Sequence, residues 1–499
     1  MPKATVLSKS PYATALQSYA ARDTVRLNVP GHNAQSGAAP ELTAFFGESL
    51  LALDVPPLLD TLDKGAQNPL AESLELAAAA WHAKRTWFLT NGASQGNRIA
   101  ALTLSQLGAA DAPVLAQRSA HSSFIDGIIL GGLVPVFMTP VIDTAHGINH
   151  GLDIATFAAT LAANPGAKGV YMITPSYFGA VADVASFAEL AHEAGMPLVV
   201  DAAWGSHFGF HPDVPANPLD LGADLMVSST HKLGGSLTQS AMLHLGHGPF
   251  AEILEPLIER AFMLTQSTSA SSILLASLDI ARAGLVDGHD RLEAAIRSAD
   301  ALRAAIRNEP GLDVVSDHFS DFSGIVDHDP LHVSIDIRGL GVDGHHVREE
   351  LMRVNGIFTE ISTDSCIVAI IGPGHTPDID GIVGALRAIR QEPGPDLSSA
   401  HVSEVAALGL PSTGTAVMRP RDAYFAASEV VSAADAIGRV SADTLSAYPP
   451  GIPNLLPGEL ITRETVDFLQ RVAGMRGGYV RGAADAQVGT LRVVSEPTA

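Results

Sequence analysis

The side chain with the most chemistry in reach is Lys232, within the run Val227-Ser-Ser-Thr-His-Lys-Leu-Gly-Gly-Ser-Leu-Thr-Gln-Ser-Ala241. The run sets this lysine after an apolar, β-type segment and before a glycine-rich turn. That is where an α/β protein presents groups to a ligand at the carboxyl end of its sheet. An amine so placed can form a Schiff base with an aldehyde. Ser228, Ser229, Thr230, Gly234, Gly235 and Ser236 surround it with hydroxyls and open backbone N–H groups, as a phosphate-bearing aldehyde cofactor requires. A solvated loop lysine would satisfy the same local pattern, so other groups must decide.

Those groups follow other strand-like runs. Asn91-Gly-Ala-Ser-Gln-Gly-Asn97 reads as a turn that opens a helix, and its N–H groups with the helix dipole make a seat for an anion. His121 follows the run Val114 to Ala116, Thr174-Pro-Ser-Tyr177 follows Gly169 to Ile173, and Asp201-Ala-Ala-Trp204 follows Pro197 to Asp201. Together they offer what pyridoxal 5′-phosphate (PLP) needs. Lys232 would hold the aldehyde, Asp201 would keep the pyridine nitrogen protonated, and His121 would stack on the ring. Ser94, Ser229 and the backbone of Ala93 and Gln95 would hold the phosphate. Each has a plainer reading: Asp201 as a helix cap, His121 as an ordinary hydrogen-bonded polar residue. The pairs His146/His150 and His207/His211 have metal-compatible spacing but lack a His-Glu-x-x-His pattern, so no metal is expected.

To bring these residues together the chain needs a parallel sheet. From about 70 to 245, helical periodicity alternates with short apolar runs at Trp87–Leu89, Val114–Ala116, Pro135–Met138, Gly169–Ile173, Pro197–Asp201, Asp224–Ser228 and Ala241–Leu245. Helices are expected over Pro69–Ala83, Arg98–Leu107 and Val184–Ala194, and a short amphipathic segment, Tyr12–Ala21, reads as part of an arm. The alternation predicts an α/β domain with a mostly parallel seven-stranded sheet covered on both faces. Further helices run from Phe250 to about Asn308. Strands at Leu331–Arg338 and Ile367–Ile371 with helices at Gly344–Val354 and Ile379–Gln391 then read as a smaller α+β domain. A Pro/Gly/Ser stretch, Glu392–Ser399, separates a last segment. The expected domains are an arm at 1–50, a large domain at 51–285, a small domain at 286–392 and a C-terminal domain at 393–499.

Thirty basic against fifty-three acidic residues give a net charge of −23, which disfavours nucleic acid and anionic membrane as partners. A single cysteine, Cys366, excludes an intrachain disulfide and a multi-cysteine zinc site and fits a reducing compartment. The first ten residues hold no signal-peptide core, and the most apolar window, Phe124 to Ile142, is broken by Asp126, glycines and prolines. A cytoplasmic protein is expected.

The run Val227–Ala241, with Ser229-Thr-His-Lys232, Gly235-Ser236 and Thr238-Gln-Ser-Ala241, resembles the lysine signature of the ornithine/lysine/arginine decarboxylases of PLP fold type I. Val29-Pro-Gly-His32, Asn91-Gly-Ala-Ser94, Asp201-Ala-Ala-Trp204, Tyr448-Pro-Pro-Gly-Ile-Pro453 and Pro457-Gly-Glu459 agree with it in order. The resemblance spans roughly Pro11 to Gly474. It implies a decarboxylase acting on arginine or lysine ahead of ornithine, releasing CO2 and the matching amine. It also implies a homodimer, or a multiple of dimers, with sites at the interface. Carried over by motif, Lys232 is the Schiff-base lysine, Asp201 the pyridinium partner, His121 the stacking residue, and Ser94, Ser229 and His231 phosphate contacts. Ala203 and Trp204 wall the ring, and Thr268 lies in a Ser/Thr turn like one that reaches the phosphate in relatives. Lys232 or His231 would protonate Cα, and Glu360 and Glu459 are candidates to meet the substrate's distal cation.

Two departures from the family pattern each remove a cation: Asn33 follows Pro30-Gly-His, and Ser122 follows His121. The chain also starts close to the arm, as in the short form without a receiver-like domain. Competing expectations are another fold-type-I enzyme, such as an aminotransferase or aldolase, and a catalytically silent regulatory homologue. The product separates the first, and failure to bind PLP would mark the second.

Overall fold

The structure, a computed structural model, describes residues 9–391, 414–448, 453–474 and 478–495. The stretch Glu392–Ser399 and residues 449–452 of the Tyr448–Pro453 motif lie outside them. The arm begins with helix α1 (Pro11–Ala20), and α2 (Pro69–Ala80) follows, its amino end closed by Asn68, which accepts from Ala71 N at 2.8 Å.

The seven apolar runs form β1 (Arg85–Leu89), β2 (Pro113–Gln117), β3 (Val134–Met138), β4 (Val170–Ile173), β5 (Leu198–Asp201), β6 (Leu225–Ser228) and β7 (Ala241–Leu245). They make one sheet in the order β1-β7-β6-β5-β4-β2-β3. The pairs β2/β3, β2/β4 and β5/β6 are parallel, whereas β7 runs against both β1 and β6. Strands β5, β6 and β7 are buried along their whole length, which is why they read as unbroken apolar runs without alternation. The helices that matter for the site are α3 (Gly92–Ser105), α4 (Ser122–Gly131), α5 (Ala251–Thr265) and α6 (Ser272–Val286). Helix α3 begins within the stretch expected to be a turn, because Gly92, with φ +78°, supplies the left-handed step out of β1 and the helix starts there.

Two compact units result: Met1–Thr103 with Val199–Leu292, and Leu104–Leu198 with Glu293–Ala499. In the first, α1 is tied down at its amino end. Asp279 on α6, fully buried, accepts from Tyr12 N at 3.0 Å and Ala13 N at 3.3 Å. In the second, β8 (Asp313–Val314), β9 (His332–Asp336), β10 (Ile361–Ser362) and β11 (Cys366–Ile370) form an antiparallel sheet in the order β8-β9-β11-β10. The C-terminal segment adds an apolar cluster that includes Leu445, Leu455, Phe468, Leu469 and Leu491. No helix among the described residues is long and apolar enough to cross a membrane.

Candidate active site

The site is built where β5 and β6 end. Their parallel register sets Asp201 opposite Val227, and Ala202 N continues the ladder to Val227 O at 2.9 Å. Trp204 and Lys232 lie just beyond, and Lys232 Nζ sits 3.8 Å from the centroid of the Trp204 ring. The two strand ends therefore meet at this amine. Lys232 is half-buried, within the one-turn helix Thr230–Leu233. That helix can stop at once only because Gly234 has no side chain: a Cβ there would lie 2.7 Å from Thr230 O.

Asp201 is 2 % exposed, so its charge depends on donors. The Asn97 amide donates to Oδ2 at 2.8 Å and the Ala203 backbone N–H to Oδ1 at 3.0 Å. Asn97 stands on α3, and α3 approaches the sheet closely because of Gly96, whose added Cβ would lie 3.0 Å from Val227 and 3.1 Å from Leu89. Ala93, Ser94 and Gln95 fall in the first turn of α3, where N–H groups have no partner within the helix and favour an anion. The Gln95 side chain points elsewhere, donating to Gln266 Oε1 at 2.8 Å and Thr265 Oγ1 at 3.3 Å.

The donor set suits PLP on the chain's own evidence. A dry, donor-held carboxylate and an amine against an indole stand at adjoining strand ends. Beside them the buried hydroxyls of Ser206, Ser228 and Thr230 make no hydrogen bond within the chain. Burial first, and then the charge of Lys232, hold the His231 imidazole below its ordinary pKa. Ser229 is buried immediately before the one-turn helix, and Thr268 lies in an exposed turn after α5.

The remaining expected residues have other surroundings. His121 belongs to the second compact unit and caps α4, its Nδ1 accepting from Ser123 N at 3.3 Å. Glu360 is exposed beside β10. Glu459 was expected to meet the substrate's cation, but it is buried and both its oxygens face Arg118, at 2.6 and 3.0 Å. Its charge is thus balanced inside the chain. His146 and His150 both turn to Asp143, at 2.6 and 3.4 Å, and His207 and His211 are buried. Asn33 adopts φ +48° and closes its turn by donating to Asn28 O at 2.7 Å, a conformation asparagine tolerates better than lysine. Sequence reasoning passed over two residues, Asn97 and Arg118. Asn97 was quoted only as part of a turn, and Arg118 belongs to none of the quoted motifs.

The chain matches the Orn/Lys/Arg decarboxylase major domain over residues 10–379 and the C-terminal domain of the same family over 406–477. It belongs to the ornithine/lysine/arginine decarboxylase family. An arginine decarboxylase of Bacillus subtilis is 34% identical over 496 residues, covering 98% of this chain and 99% of that one. An arginine decarboxylase of Halalkalibacterium halodurans is 34% identical over 495 residues, covering 98% of each. The Francisella novicida lysine decarboxylase LdcF superposes with a TM-score of 0.83 at 20% identity, over 97% of this chain and 81% of that one. The fold is that of the PLP fold type I decarboxylases, as the sequence resemblance implied.

Proposed function

We propose that the protein is a PLP-dependent decarboxylase of a basic amino acid, with arginine as the first candidate, releasing CO2 and the corresponding amine. The observation that carries this reading is the contact of Lys232 with Trp204 beyond the ends of two parallel strands, one of which ends at Asp201, whose carboxylate is fixed by Asn97 and Ala203. Arginine is favoured because relatives about a third identical over nearly the full chain bear that name, while those named lysine decarboxylases are more distant.

When bound, PLP supplies an electron sink for the pair left behind by the departing carboxylate. In this proposal Lys232 would hold the cofactor's aldehyde through its amine. Asp201 keeps a proton on the ring nitrogen, Trp204 and Ala203 wall the ring, and His121 covers its face. The first-turn amides of Ala93, Ser94 and Gln95, with Ser94, Ser229, His231 and Thr268, hold the phosphate. Burial and the charge of Lys232 disfavour the protonated form of His231, which leaves Lys232 as the better donor to Cα. Glu360 is the candidate acidic partner for the distal cation.

The protein is further proposed to work as a homodimer or a multiple of dimers in the cytoplasm. Support for a second copy comes from Val25, Leu27, Val29, Phe45 and Phe46, all strongly exposed on the arm. The domain boundary near 393 is supported by the gap between the two family matches, 379 to 406.

The test supplies PLP and then arginine, lysine or ornithine to the purified protein, measuring CO2 and amine by mass spectrometry. Borohydride reduction should label Lys232, and Lys232→Ala should abolish both labelling and turnover. A keto acid product would replace decarboxylation with transamination, and a protein that binds no PLP would remove the reading.

A further inference from the structure

The Arg118–Glu459 pair joins two parts of the second compact unit that the family divides between its major and C-terminal domains. Arg118 immediately follows β2 and is 2 % exposed; Glu459 is 5 % exposed. The guanidinium meets both carboxylate oxygens, at 2.6 and 3.0 Å, and its Nε donates to Pro453 O at 2.9 Å. Leu456 N donates to Glu459 Oε2 at 2.9 Å, and the Phe137 ring centroid lies 4.7 Å from the guanidinium carbon. A single arginine is thus held by a carboxylate, a carbonyl and an aromatic face.

The arginine also opens the short segment that ends at His121. Arg118 N donates to Met138 O at 2.8 Å, Ala120 N to Gln117 O at 3.0 Å, and the Gln117 amide to Ser119 Oγ at 2.6 Å. His121 then caps α4 through Nδ1, an acceptor from the Ser123 N–H, which fixes the ring's tautomer and plane. From Arg118 to His121 the backbone has little freedom, so a shift at Arg118 has a short, stiff path to the imidazole.

We infer that Arg118 is a positioning residue for His121, and that the C-terminal segment 453–459 sets the stacking histidine through Glu459. The inference rests on the reading of His121 as the residue that covers the cofactor. A buried ion pair could be a structural tie alone, but this one also borders open space into which a displaced side chain can move. Glu459 lines a cavity of about 380 Å3 together with Phe137, Leu456 and Pro457. If the charge at 459 is lost, the backbone there is still held by Ser441 and Thr415, but the buried Arg118 guanidinium is left without its counter-charge and must shift, and the disturbance passes along the Arg118 backbone.

The experiment uses the full-length protein and two readouts independent of turnover: the dissociation constant for PLP and the visible circular dichroism of the bound cofactor. Glu459→Gln should weaken PLP binding about tenfold, the scale of one lost charged hydrogen bond, and change the dichroism. In a His121→Ala background the same substitution should have no further effect on either, because the pathway ends at that ring. The apolar pair Arg118→Met with Glu459→Leu should recover the melting temperature yet leave PLP binding weak, since it restores packing without the anchor. Should Glu459→Gln fail to fold, Arg118→Lys is read in the same way. Wild-type affinity and dichroism in the single variant, additive losses with His121→Ala, or full rescue by the apolar pair would each overturn the inference. A wild-type protein that binds no PLP defeats the proposed function instead, so the two failures are distinct.

Discussion

Asp201 illustrates how a buried charge is kept usable. At 2 % exposure it has no bulk water to lean on, so the Asn97 amide and the Ala203 N–H take the place of solvent. A charged acceptor that loses one donor in such a place forfeits about 1.5–3 kcal/mol. Asn97→Ala should therefore lower kcat by about tenfold to a hundredfold, since each tenfold corresponds to about 1.4 kcal/mol. The fold itself should survive, because a loss of that size is a fraction of the stability of a folded domain. Steady-state kinetics beside a melting curve checks this: an unchanged kcat, or a fall in kcat fully matched by unfolding, would remove the role. Asn97 differs from Lys232 in kind. Lysine announces its chemistry in the sequence, whereas an asparagine does so only once its partner is known.

At the scale of elements, α1 is held by the match between a helix amino terminus and a carboxylate. Tyr12 N and Ala13 N point at Asp279, which Arg282 also contacts at 3.0 Å, and Tyr12 N reaches Ser73 Oγ at 3.1 Å. Asp279→Ala leaves those amides without their acceptor inside a dry contact and should cost about 1–3 kcal/mol. Hydrogen exchange should then rise over residues 11–20 while strands β5 to β7 stay protected; equal protection of the helix in both proteins would contradict the assignment. Much of this framework was legible in the sequence. Six of the seven strands of the large sheet fall within a residue or so of their apolar runs, most of them because they are buried enough to need an unbroken run, though the edge strand β3 is only half-buried; the start of β1 lies further off, at Arg85. Two features were not legible. An apolar run carries no record of direction, so the reversal of β7 was invisible. The glycines of Gly92–Gly96 read as a loop, yet Gly92 permits the helix to start and Gly96 lets α3 press against Val227 and Leu89. The site motifs were legible as residue types, but Arg118 and Glu459 are far apart in the chain, and no local pattern tells a carboxylate that meets a substrate from one that meets an arginine.

Across the molecule the same pattern recurs: in an acidic chain, at −23, several buried carboxylates among the described residues, such as Glu459, Asp279 and Asp143, are met by cationic or ring N–H partners. The densest case, in the second compact unit, joins the hairpin of strands Ile142–Asp143 and Ile148–Asn149 to β9. His146 Nδ1 lies 2.6 Å from Asp143 and Nε2 3.3 Å from Asp336, while Arg338 reaches Asp336 at 2.7 Å and Ala145 O at 2.9 Å. Burial alone would lower the His146 pKa, but the two carboxylates outweigh it and raise it to about 9. Burial would raise both aspartates, yet hydrogen bonds from His146, with His150 at Asp143 and Arg338 at Asp336, hold them well below the usual carboxylate range. The raised histidine stabilises the folded state fully below about pH 6.5, its ordinary value, and that contribution fades as pH climbs through about 9. The depressed aspartates contribute above their ordinary range near 4 and lose it as pH falls. The clasp is therefore strongest between about pH 4 and 6.5. From pH 6 to 9.5 the wild-type protein should lose on the order of 3 kcal/mol relative to a His146→Gln variant, whose side chain does not titrate. Urea unfolding at a series of pH values measures the difference, and hydrogen exchange over 142–149 should rise in step in the wild type alone. Parallel pH profiles for the two proteins would mean that His146 is neutral in the fold and that Arg338 holds the hairpin without it.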